Sequence, residues 1–431
     1  MKIDGNREFE LLKKIGFIRT AGSEEELKAA NMIKDEIESI GVDAVIEPFE
    51  IPDAEIQQAE LEVLEPYNKK YTVTAYKCSQ NVTDLVADLV YVDNANEVSL
   101  KSAKGKIVLL NGEYLRVPVY KRLRDAGVAG FITMSGTLID KEEETDLFVR
   151  TMRETLQTFG VIPGVNIRMK DAFEMVTKKA CKVRMTVQTT PVTRTSHNVI
   201  AEIKGTTYPD EIISFGSHYD SVPFAPGVAD NGAGSVINLE LLRHFKENPP
   251  ARTIKFMWYG SEEVGLYGSK AYIKMHEDEL PKHIFMINVD IGGLVLGYEV
   301  CNVTASKELT AYIDMFMKIR GYDVEVTQSI YSSDSIPYAD KGIPAVNFFR
   351  NGTPGAAFIH SRYDNMDMLS ADALVSTTRV VLDFSDTIIN AVQFPEKREM
   401  PQEMVEAVDK YLYKKELAEA KEKQEKEQAQ K

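Results

Sequence analysis

The sequence is poor in cysteine and contains no long apolar run. Its three cysteines, Cys78, Cys181 and Cys301, lie far apart and form no Cys-x-x-Cys pair. This pattern argues against a disulfide framework and a thiolate metal site, and it predicts a reducing compartment. No apolar run approaches the ~20 residues that span a bilayer, and the first residues lack the apolar core of a signal peptide. We therefore expect a cytoplasmic protein with no membrane partner.

Positive charge is also scarce in this chain. It carries 51 Lys and Arg residues against 66 Asp and Glu residues, which gives a formal net charge of −15. Nucleic-acid binding needs clustered basic residues that neutralise phosphates, so this balance predicts no nucleic-acid partner. The surplus of carboxylates has two interpretations: it is usual for a soluble surface, and clustered carboxylates also hold cations.

Two common hydrolase motifs are missing as well. No Gly-x-Ser-x-Gly segment occurs, which argues against a serine hydrolase with that nucleophile turn. The segment His276-Glu277-Asp278-Glu279-Leu280 lacks the second histidine of the His-Glu-x-x-His zinc motif. We interpret four of the six histidines as structural or surface residues: His197, His244, His276 and His283.

The length of 431 residues and the changes along the chain predict a main α/β domain with an insertion. In residues 1–59 and 191–396, nearly continuous apolar strand patterns alternate with loops and helices. This rhythm predicts a mixed, mostly parallel central sheet that is covered by helices on both faces. Residues 60–190 contain short β-type runs and no histidine, which predicts a small β-rich inserted domain.

The two ends of the chain have helical patterns. Ser23-Glu24-Glu25-Glu26 is a capping-box pattern, and it predicts an amphipathic helix that ends at Gly41. Residues 397–431 are predicted to form a charged helical or disordered tail. The apolar face within 404–412 either packs back on the main domain or mediates oligomerisation, so the oligomeric state stays open.

Histidine and carboxylate side chains follow several predicted strands and precede the last long helix. They are His218 with Asp220, Asp230, Glu262 with Glu263, Asp290, and His360. Each has an ordinary alternative when taken alone: a His-x-Asp pair is usually a surface hydrogen bond, and an aspartate before a helix is often an N-cap. Adjacent acids such as Glu262 and Glu263 repel unless a cation or a raised pKa relieves them.

These side chains are expected to converge, because the carboxyl ends of neighbouring strands face one crevice in an open α/β sheet. Two imidazoles with several carboxylates, one of which can bridge, form a ligand set for two divalent metal ions. Zn²⁺ is the favoured ion, and Co²⁺ or Mn²⁺ are alternatives. The residues themselves therefore predict a two-metal site.

The ordered set of motifs resembles the co-catalytic di-zinc exopeptidase family that includes aminopeptidase S, aminopeptidase Y and glutamate carboxypeptidase. The motifs that carry this resemblance cover most of the chain. They are Arg19-Thr20-Ala21-Gly22-Ser23, His218-x-Asp220, Asp230-Asn231, Glu262-Glu263, Asp290-x-Gly292, Ser333-Asp334, Gly342-Ile343-Pro344-Ala345 and His360. Their order and spacing together are specific, although each motif alone is common.

The resemblance implies a zinc-peptidase fold and a role for each matching residue. Asp230 would bridge the two metals. His218 and Asp290 would complete one metal site, and Glu263 and His360 would complete the other. The implied reaction is metal-dependent hydrolysis of a peptide substrate by a water held between the metals.

Further roles implied by the resemblance concern residues that are not metal ligands. Glu262 would be the general base, and Asp220 would orient His218. Tyr331 is close to the place of a tyrosine that hydrogen-bonds the oxyanion in some members, although the local spacing differs. The chain departs from the family where Ala229 replaces a frequent acid and Ser335 replaces a frequent histidine, and neither position is a metal ligand.

The family also implies a domain function and an activity. Residues 60–190 are similar to the protease-associated domain that some members carry as an insertion near the active-site entrance. Release of N-terminal amino acids is the favoured activity. Three alternatives stay open: a carboxypeptidase, an acyltransferase of the glutaminyl-cyclase kind, and a non-catalytic binding protein. For the carboxypeptidase, Arg350 is the basic residue that could bind a terminal carboxylate.

Overall fold

The computed structural model describes residues 3–111, 115–141, 143 and 145–429, and its chain divides into two compact units. The first unit comprises Met1–Ile51 with Thr195–Leu412, and the second comprises Pro52–Arg194 with Tyr413–Lys431. None of the helices in the described residues is long and apolar enough to cross a membrane.

The described residues contain twelve α-helices. They are α1 Gly5–Ile15, α2 Glu24–Ser39, α3 Val117–Ala126, α4 Glu154–Gln157, α5 Met169–Thr177, α6 Ala233–Glu247, α7 Tyr267–Met275, α8 Lys307–Arg320, α9 Ser335–Asp340, α10 Ala371–Ile389, α11 Gln402–Tyr411 and α12 Lys414–Ala429.

The same residues contain fourteen β-strands. They are β1 Ala44–Glu65, β2 Lys69–Tyr71, β3 Val73–Ala75, β4 Val82–Tyr91, β5 Ile107–Leu109, β6 Gly130–Ser135, β7 Gly164–Arg168, β8 Lys182–Ile203, β9 Tyr208–His218, β10 Arg252–Tyr259, β11 His283–Val289, β12 Gly297–Thr304, β13 Val324–Gln328 and β14 Ala345–Gly352.

The sheet of the first unit has the strand order β13-β12-β14-β11-β9-β10-β8. The neighbours β14, β11, β9 and β10 are parallel to one another, whereas β12 is antiparallel to β14 and β8 is antiparallel to β10. The predicted mixed, mostly parallel sheet is therefore confirmed. It places the carboxyl ends of β9, β10 and β11 side by side.

Helices cover both faces of this sheet, as strand β10 shows. Every residue of β10 is buried. Phe256 and Trp258 pack into the apolar core that also contains residues of α6, whereas Met257 and Tyr259 pack with residues of α7 and α9. Alternate side chains of a strand point to opposite faces, so these two cores lie on opposite sides of the sheet.

The predicted N-terminal helix is confirmed, with one difference at its start. Ser23 Oγ accepts a hydrogen bond from the backbone N–H of Glu26 at 3.0 Å, as a capping box requires. The carboxylate of Glu26 does not return to Ser23; it accepts the N–H of Gly22 at 2.8 Å instead. The helix ends just before Gly41, whose φ of +82° suits a residue without a side chain.

The second unit has its own sheet, in the order β8-β4-β5-β6-β7-β3, in which β4, β5, β6 and β7 are parallel. Strands β1 and β8 each continue from one unit into the other. The unit boundaries fall at 51/52 and 194/195, whereas the sequence suggested 59/60 and 190/191. A strand that crosses a boundary without interruption leaves no break in sequence pattern to mark it.

The predicted tail, 397–431, is divided between the two units. In the first unit, Met404 and Val408 of α11 are buried against Ala339 of α9, so this segment packs back on the main domain. Residues from Tyr413 onward belong to the second unit, where Tyr413 packs on a core that contains Tyr120.

Candidate functional site

The motif residues are carried by loops at the carboxyl edge of the first unit's sheet. His218 is the last residue of β9, Glu262 and Glu263 follow β10, and Asp290 directly follows β11. Asp230 lies in an irregular turn before α6. His360 lies in the loop between β14 and α10.

Asp230 is at the centre of the cluster. Its Oδ1 lies 3.1 Å from His218 Nε2, and its Oδ2 lies 3.0 Å from His360 Nε2. On one side, Asp290 Oδ1 is 3.4 Å from the same nitrogen of His218. On the other side, Glu263 Oε2 is 3.1 Å from the same nitrogen of His360. The two oxygens of one carboxylate therefore face two different imidazoles.

The cluster forms two groups of three potential metal ligands that share Asp230. One group is His218, Asp230 and Asp290, and the other is Asp230, Glu263 and His360. Within each group, the ligand atoms all lie within 4.8 Å of one another. These are the residues and the division that the family resemblance implies.

The chemistry of this donor set fits divalent cations. Burial raises the pKa of Asp290 and the pKa of Glu263, because a buried carboxylate is costly to ionise. Asp290 Oδ1 has no hydrogen-bond donor within the part of the chain that the structure describes. Imidazole nitrogens and carboxylate oxygens are ligands that zinc accepts in proteins. A cation would offset the repulsion among these acids.

Glu262 belongs to neither three-ligand group. Desolvation raises the pKa of its carboxyl well above the usual range, and the charge of Glu263 acts in the same direction. A carboxyl group with a raised pKa, next to potential metal ligands, is suited to accept and return a proton.

Asp220 is fully buried and contacts two parts of the cluster. Its Oδ1 lies 3.4 Å from His218 Nδ1, on the opposite side of the ring from Asp230. Its carboxylate also accepts the backbone N–H groups of Glu262, at 3.0 Å, and Glu263, at 3.2 Å. His218 Nδ1 also lies 3.2 Å from the backbone carbonyl oxygen of Asp220. Asp220 therefore holds the glutamate turn, and its role in orienting the histidine stays a prediction.

The hydroxyl of Tyr331 interacts electrostatically with two acids of the cluster. Burial raises the pKa of its hydroxyl, and the negative charges of Asp290 and Asp230 raise it further. Its ring stacks on Phe349, with the ring centroids 4.6 Å apart. This contact fixes the plane of the ring.

The two departures from the family pattern are accommodated locally. The backbone N–H of Ala229 donates to Asp364 Oδ1 at 2.8 Å. The hydroxyls of Ser335 and Ser333 are 2.8 Å apart. Neither Ala229 nor Ser335 belongs to a three-ligand group found among the described residues.

Two buried charges support the loop that carries Asp230, and sequence reasoning assigned neither of them a role. Asp364 accepts the N–H of Asp230 at 3.1 Å as well as that of Ala229. The guanidinium of Arg19 donates to backbone carbonyls of the loop, including that of Gly227 at 2.6 Å. Arg19 belongs to the motif Arg19–Ser23, and this position was a signal of function. The loop carbonyls that it binds are far away in sequence, so no local pattern predicted these contacts.

The contacts of the Asn231 side chain explain why an asparagine follows Asp230 and why a glycine stands at position 234. Its side chain donates to the carbonyl of Val289 at 2.9 Å and accepts the N–H of Gly234 at 2.8 Å. A Cβ at Gly234 would lie 2.4 Å from both Asn231 Oδ1 and the Val289 carbonyl oxygen. Glycine is therefore required there for α6 to begin so close to β11.

Two of the histidines that were interpreted as structural have partners outside the cluster. His276 Nε2 lies 2.9 Å from Glu47 Oε1, and His283 Nδ1 lies 2.7 Å from Ser214 Oγ. Neither is in a three-ligand group among the residues that the structure covers.

Comparison with known proteins assigns this site to a family. Residues 198–385 match the model of peptidase family M28. Over 375 residues the chain is 27% identical to aminopeptidase YwaD of Bacillus subtilis (strain 168), a match that covers 83% of this chain and 78% of that protein. It is 25% identical over 370 residues to carboxypeptidase Q of Xenopus laevis, with 81% and 78% covered.

Solved structures show the same architecture. BSAP, a zinc aminopeptidase from Bacillus subtilis, aligns with a TM-score of 0.74 at 23% identity, over 94% of this chain and 99% of that one. A peptidase M28 precursor from Shewanella amazonensis SB2B aligns with a TM-score of 0.71 at 26% identity, over 92% and 95%. Residues 198–385 are therefore a peptidase domain of family M28, and the chain is a peptide hydrolase.

Proposed function

We propose that the protein is an aminopeptidase that uses two divalent metal ions, with zinc favoured over cobalt and manganese. One observation carries the proposal: two buried or half-buried groups of three ligands share the carboxylate of Asp230. Two further points support the choice of metal: BSAP is a zinc aminopeptidase, and zinc accepts the mixed nitrogen and oxygen donors that this cluster offers.

In the proposed site, His218 and Asp290 hold one ion, Glu263 and His360 hold the other, and Asp230 is common to both. When bound, divalent cations act as Lewis acids on a carbonyl oxygen and lower the pKa of water to about 7. The two imidazoles must be neutral to serve as ligands, so binding of the cations and loss of protons from His218 and His360 are coupled.

Glu262 is the proposed proton carrier. It takes the proton of the attacking water and returns it to the nitrogen of the leaving amine, which is the role of a general base followed by that of a general acid. Asp220 keeps this glutamate in place through the backbone N–H of Glu262. The hydroxyl of Tyr331 is the proposed donor to the carbonyl oxygen as negative charge develops on it.

The charges around the site favour a free amino terminus over a free carboxyl terminus. A free carboxyl terminus is typically bound by a basic side chain such as arginine. Arg350, the basic candidate for binding a terminal carboxylate, is paired with Glu299 at 2.8 Å and donates to the carbonyl of Leu294. The similarity to carboxypeptidase Q keeps the opposite polarity as the competing proposal.

Two further proposals concern the setting of the enzyme. We propose that the inserted region, 60–190, is a domain of the protease-associated type that shapes access of peptides. Two of its segments are similar to that domain type. Residues 105–108 lead into β5, and residues 125–130 run from the end of α3 to the start of β6. The scattered cysteines, which are free in this structure, support a cytoplasmic location.

The test is a set of peptides with free ends, a blocked amino end or a blocked carboxyl end, assayed with and without a chelator while metal per chain is counted. We expect hydrolysis only with a free amino end, two metal ions per chain, and loss of activity with the chelator. Cleavage of amino-blocked peptides from the carboxyl end would overturn the aminopeptidase proposal. Cyclisation of a glutaminyl peptide without hydrolysis would favour the acyltransferase.

The proposed base is tested by Glu262→Gln. We expect turnover to fall by roughly 10²–10⁴-fold, the usual contribution of a general base, while both metal ions stay bound. Glu277→Gln, at an exposed glutamate, is the matched control and should behave as the parent. Near-parental turnover by the Glu262 variant would remove this residue from the mechanism.

A further inference from the structure

Glu26 is a buried carboxylate that no step of the proposed reaction uses. It lies in the first turn of α2, and both oxygens of its buried carboxylate accept hydrogen bonds. Oε1 accepts the N–H and the hydroxyl of Ser261, at 2.9 and 3.1 Å, and the hydroxyl of Ser196 at 2.9 Å. Oε2 accepts the N–H of Gly22 at 2.8 Å. Four donors from three places in the chain therefore meet at one carboxylate.

Local sequence rules predict a different position for this side chain. In a complete capping box, the glutamate at this position accepts the N–H of the capping residue, here Ser23, at the surface. Glu26 is directed inward instead, where burial and the charge of Asp220 together raise its pKa to about 8. A conflict between a local rule and the observed contact is typical of functional sites.

The partner of Glu26 is the residue directly before the two catalytic-motif glutamates. Ser261 has a φ of +57°, a left-handed conformation that is uncommon for serine. Three consecutive backbone N–H groups then donate to two buried carboxylates: that of Ser261 to Glu26, and those of Glu262 and Glu263 to Asp220. Both ends of the turn are thus held by acceptors from distant parts of the sequence.

Glycine at position 260 permits this close approach. A Cβ at Gly260 would lie 2.5 Å from Ser196 Oγ and 2.8 Å from Glu26 Oε1. Real side chains do not tolerate such distances, so the Gly260–Ser261 segment is shaped to admit the carboxylate.

We propose that Glu26 is a positioning residue that fixes the turn 260–263 and thereby the directions of Glu262 and Glu263. The inference rests on the proposed function, since it assigns Glu26 to the base and to one metal ligand of that site. What matters in this role is a hydrogen-bond acceptor with the reach of a glutamate side chain. The charge itself is not required.

Three substitutions of Glu26 distinguish the effect of its side-chain length from the effect of its charge. Glu26→Ala removes the acceptor, Glu26→Asp keeps the charge but shortens the side chain, and Glu26→Gln keeps the reach and one acceptor oxygen for Ser261. We expect the loss to decrease in the order Ala, Asp, Gln. A role of Glu26 through its charge predicts that Asp is closer to the parent than Gln. The exposed neighbour gives the matched control, Glu25→Ala.

The measurements are kcat and KM on a free-amine peptide and the zinc affinity of metal-free protein titrated against a competing chelator. For Glu26→Ala we expect losses of about 10–100-fold in kcat and in the affinity of one of the two zinc ions, the range found for residues that orient ligands. KM should change much less. Thermal unfolding of each metal-free variant reports whether the fold is retained.

The outcomes are distinct. Parental kcat and zinc affinity in the Ala and Asp variants would overturn the positioning role, as would Asp closer to the parent than Gln. If the Ala variant does not fold, the order of Asp and Gln still decides. A parent protein without peptidase activity would instead overturn the proposed function, and the zinc titration would then test the effect of Glu26 on the Glu263 ligand alone.

Discussion

Asp53 of the second unit and the strand-end acids of the first unit have different kinds of partner. In the second unit, Asp53 contacts Lys77 at 2.8 Å and Arg194 at 2.6 Å. In the first unit, Asp230 and Asp290 contact imidazoles. Arg19, a buried cation near those acids, donates its hydrogen bonds to backbone carbonyls. Acids with lysine and arginine partners are already neutralised, whereas in the proposed metal site a cation from solution would neutralise Asp230 and Asp290.

Histidine follows the same division. All six histidines lie in the first unit. A histidine is a metal ligand only when neutral, and a carboxylate on its far side fixes which nitrogen is presented. The partner of a buried acid, more than the acid itself, therefore distinguishes a functional cluster from a structural ion pair.

The largest effect is expected for Asp230→Ala, which would remove the carboxylate shared by both three-ligand groups. Metal content should fall below two ions per chain. Metal stabilisation of a transition state is worth several kcal/mol, so activity should fall by about a thousandfold or more. Metal analysis and kcat measure both effects. Two tightly bound ions in this variant would show that metal binding in the first unit does not depend on the shared acid.

A smaller effect is expected for Asp220→Ala. This change removes the acceptor for the N–H groups of Glu262 and Glu263 and the carboxylate beside His218. Metal affinity should weaken by roughly 10–100-fold. The affinity is measured by competition with a chelator. Unchanged metal affinity would mean that Asp220 is a structural acid, like Asp53 of the second unit.

Glu8 is a buried acid of the first unit that lies outside the cluster. Burial, the largest influence, raises its pKa to about 8, and Thr378 Oγ1 lies 2.5 Å from its carboxyl. The folded state therefore holds a proton that the unfolded state has released. Stability should decrease as the pH rises from about 4.5 to about 8 and then level off.

The measurement is the free energy of unfolding of Glu8→Gln and parent across this pH range. The variant should equal the parent at low pH and exceed it by an amount on the order of 2–4 kcal/mol above pH 8. Glu10→Gln, at an exposed position of the same helix, is the control and should show no such difference. A constant difference at all pH values would contradict proton uptake by Glu8.

The smallest effect is expected in the second unit, for Asp53→Asn. Hydrogen bonds from Lys77 and Arg194 outweigh the effect of burial and lower the pKa of Asp53. The substitution should destabilise the protein by about 1–3 kcal/mol at neutral pH and leave metal content unchanged. Because its stabilisation requires the ionised form, the difference should shrink from pH 7 to pH 3 and vanish only once the pH is below the lowered pKa of folded Asp53. Urea unfolding at pH 7 and pH 3 measures it.

Much of the site could be predicted from the sequence, for one physical reason. Residues at the carboxyl ends of neighbouring parallel strands are brought together by the sheet, whatever their separation in sequence. His218, Glu263 and Asp290 each follow such a strand, so their meeting could be expected. His360 has no strand directly before it, and it was included because it precedes the last long helix and supplies a second imidazole.

The supporting contacts could not be predicted. Asp364 and Arg19 bind backbone groups of the loop that carries Asp230, and backbone groups leave no trace in the sequence. Glu26 satisfied a local capping pattern that concealed its actual partner, Ser261. The unit boundaries were displaced because β1 and β8 run through them as single strands.

The bracing of the site from the N-terminal segment limits what a smaller piece of this protein could do. A fragment made of residues 198–385 would retain the ligands and the central strands. It would lack Arg19 and Glu26, and it would leave the carbonyl of Gly227 and the amide of Ser261 without the groups that now bind them. The segment that matches the peptidase family is therefore shorter than the segment that an independently functional enzyme needs.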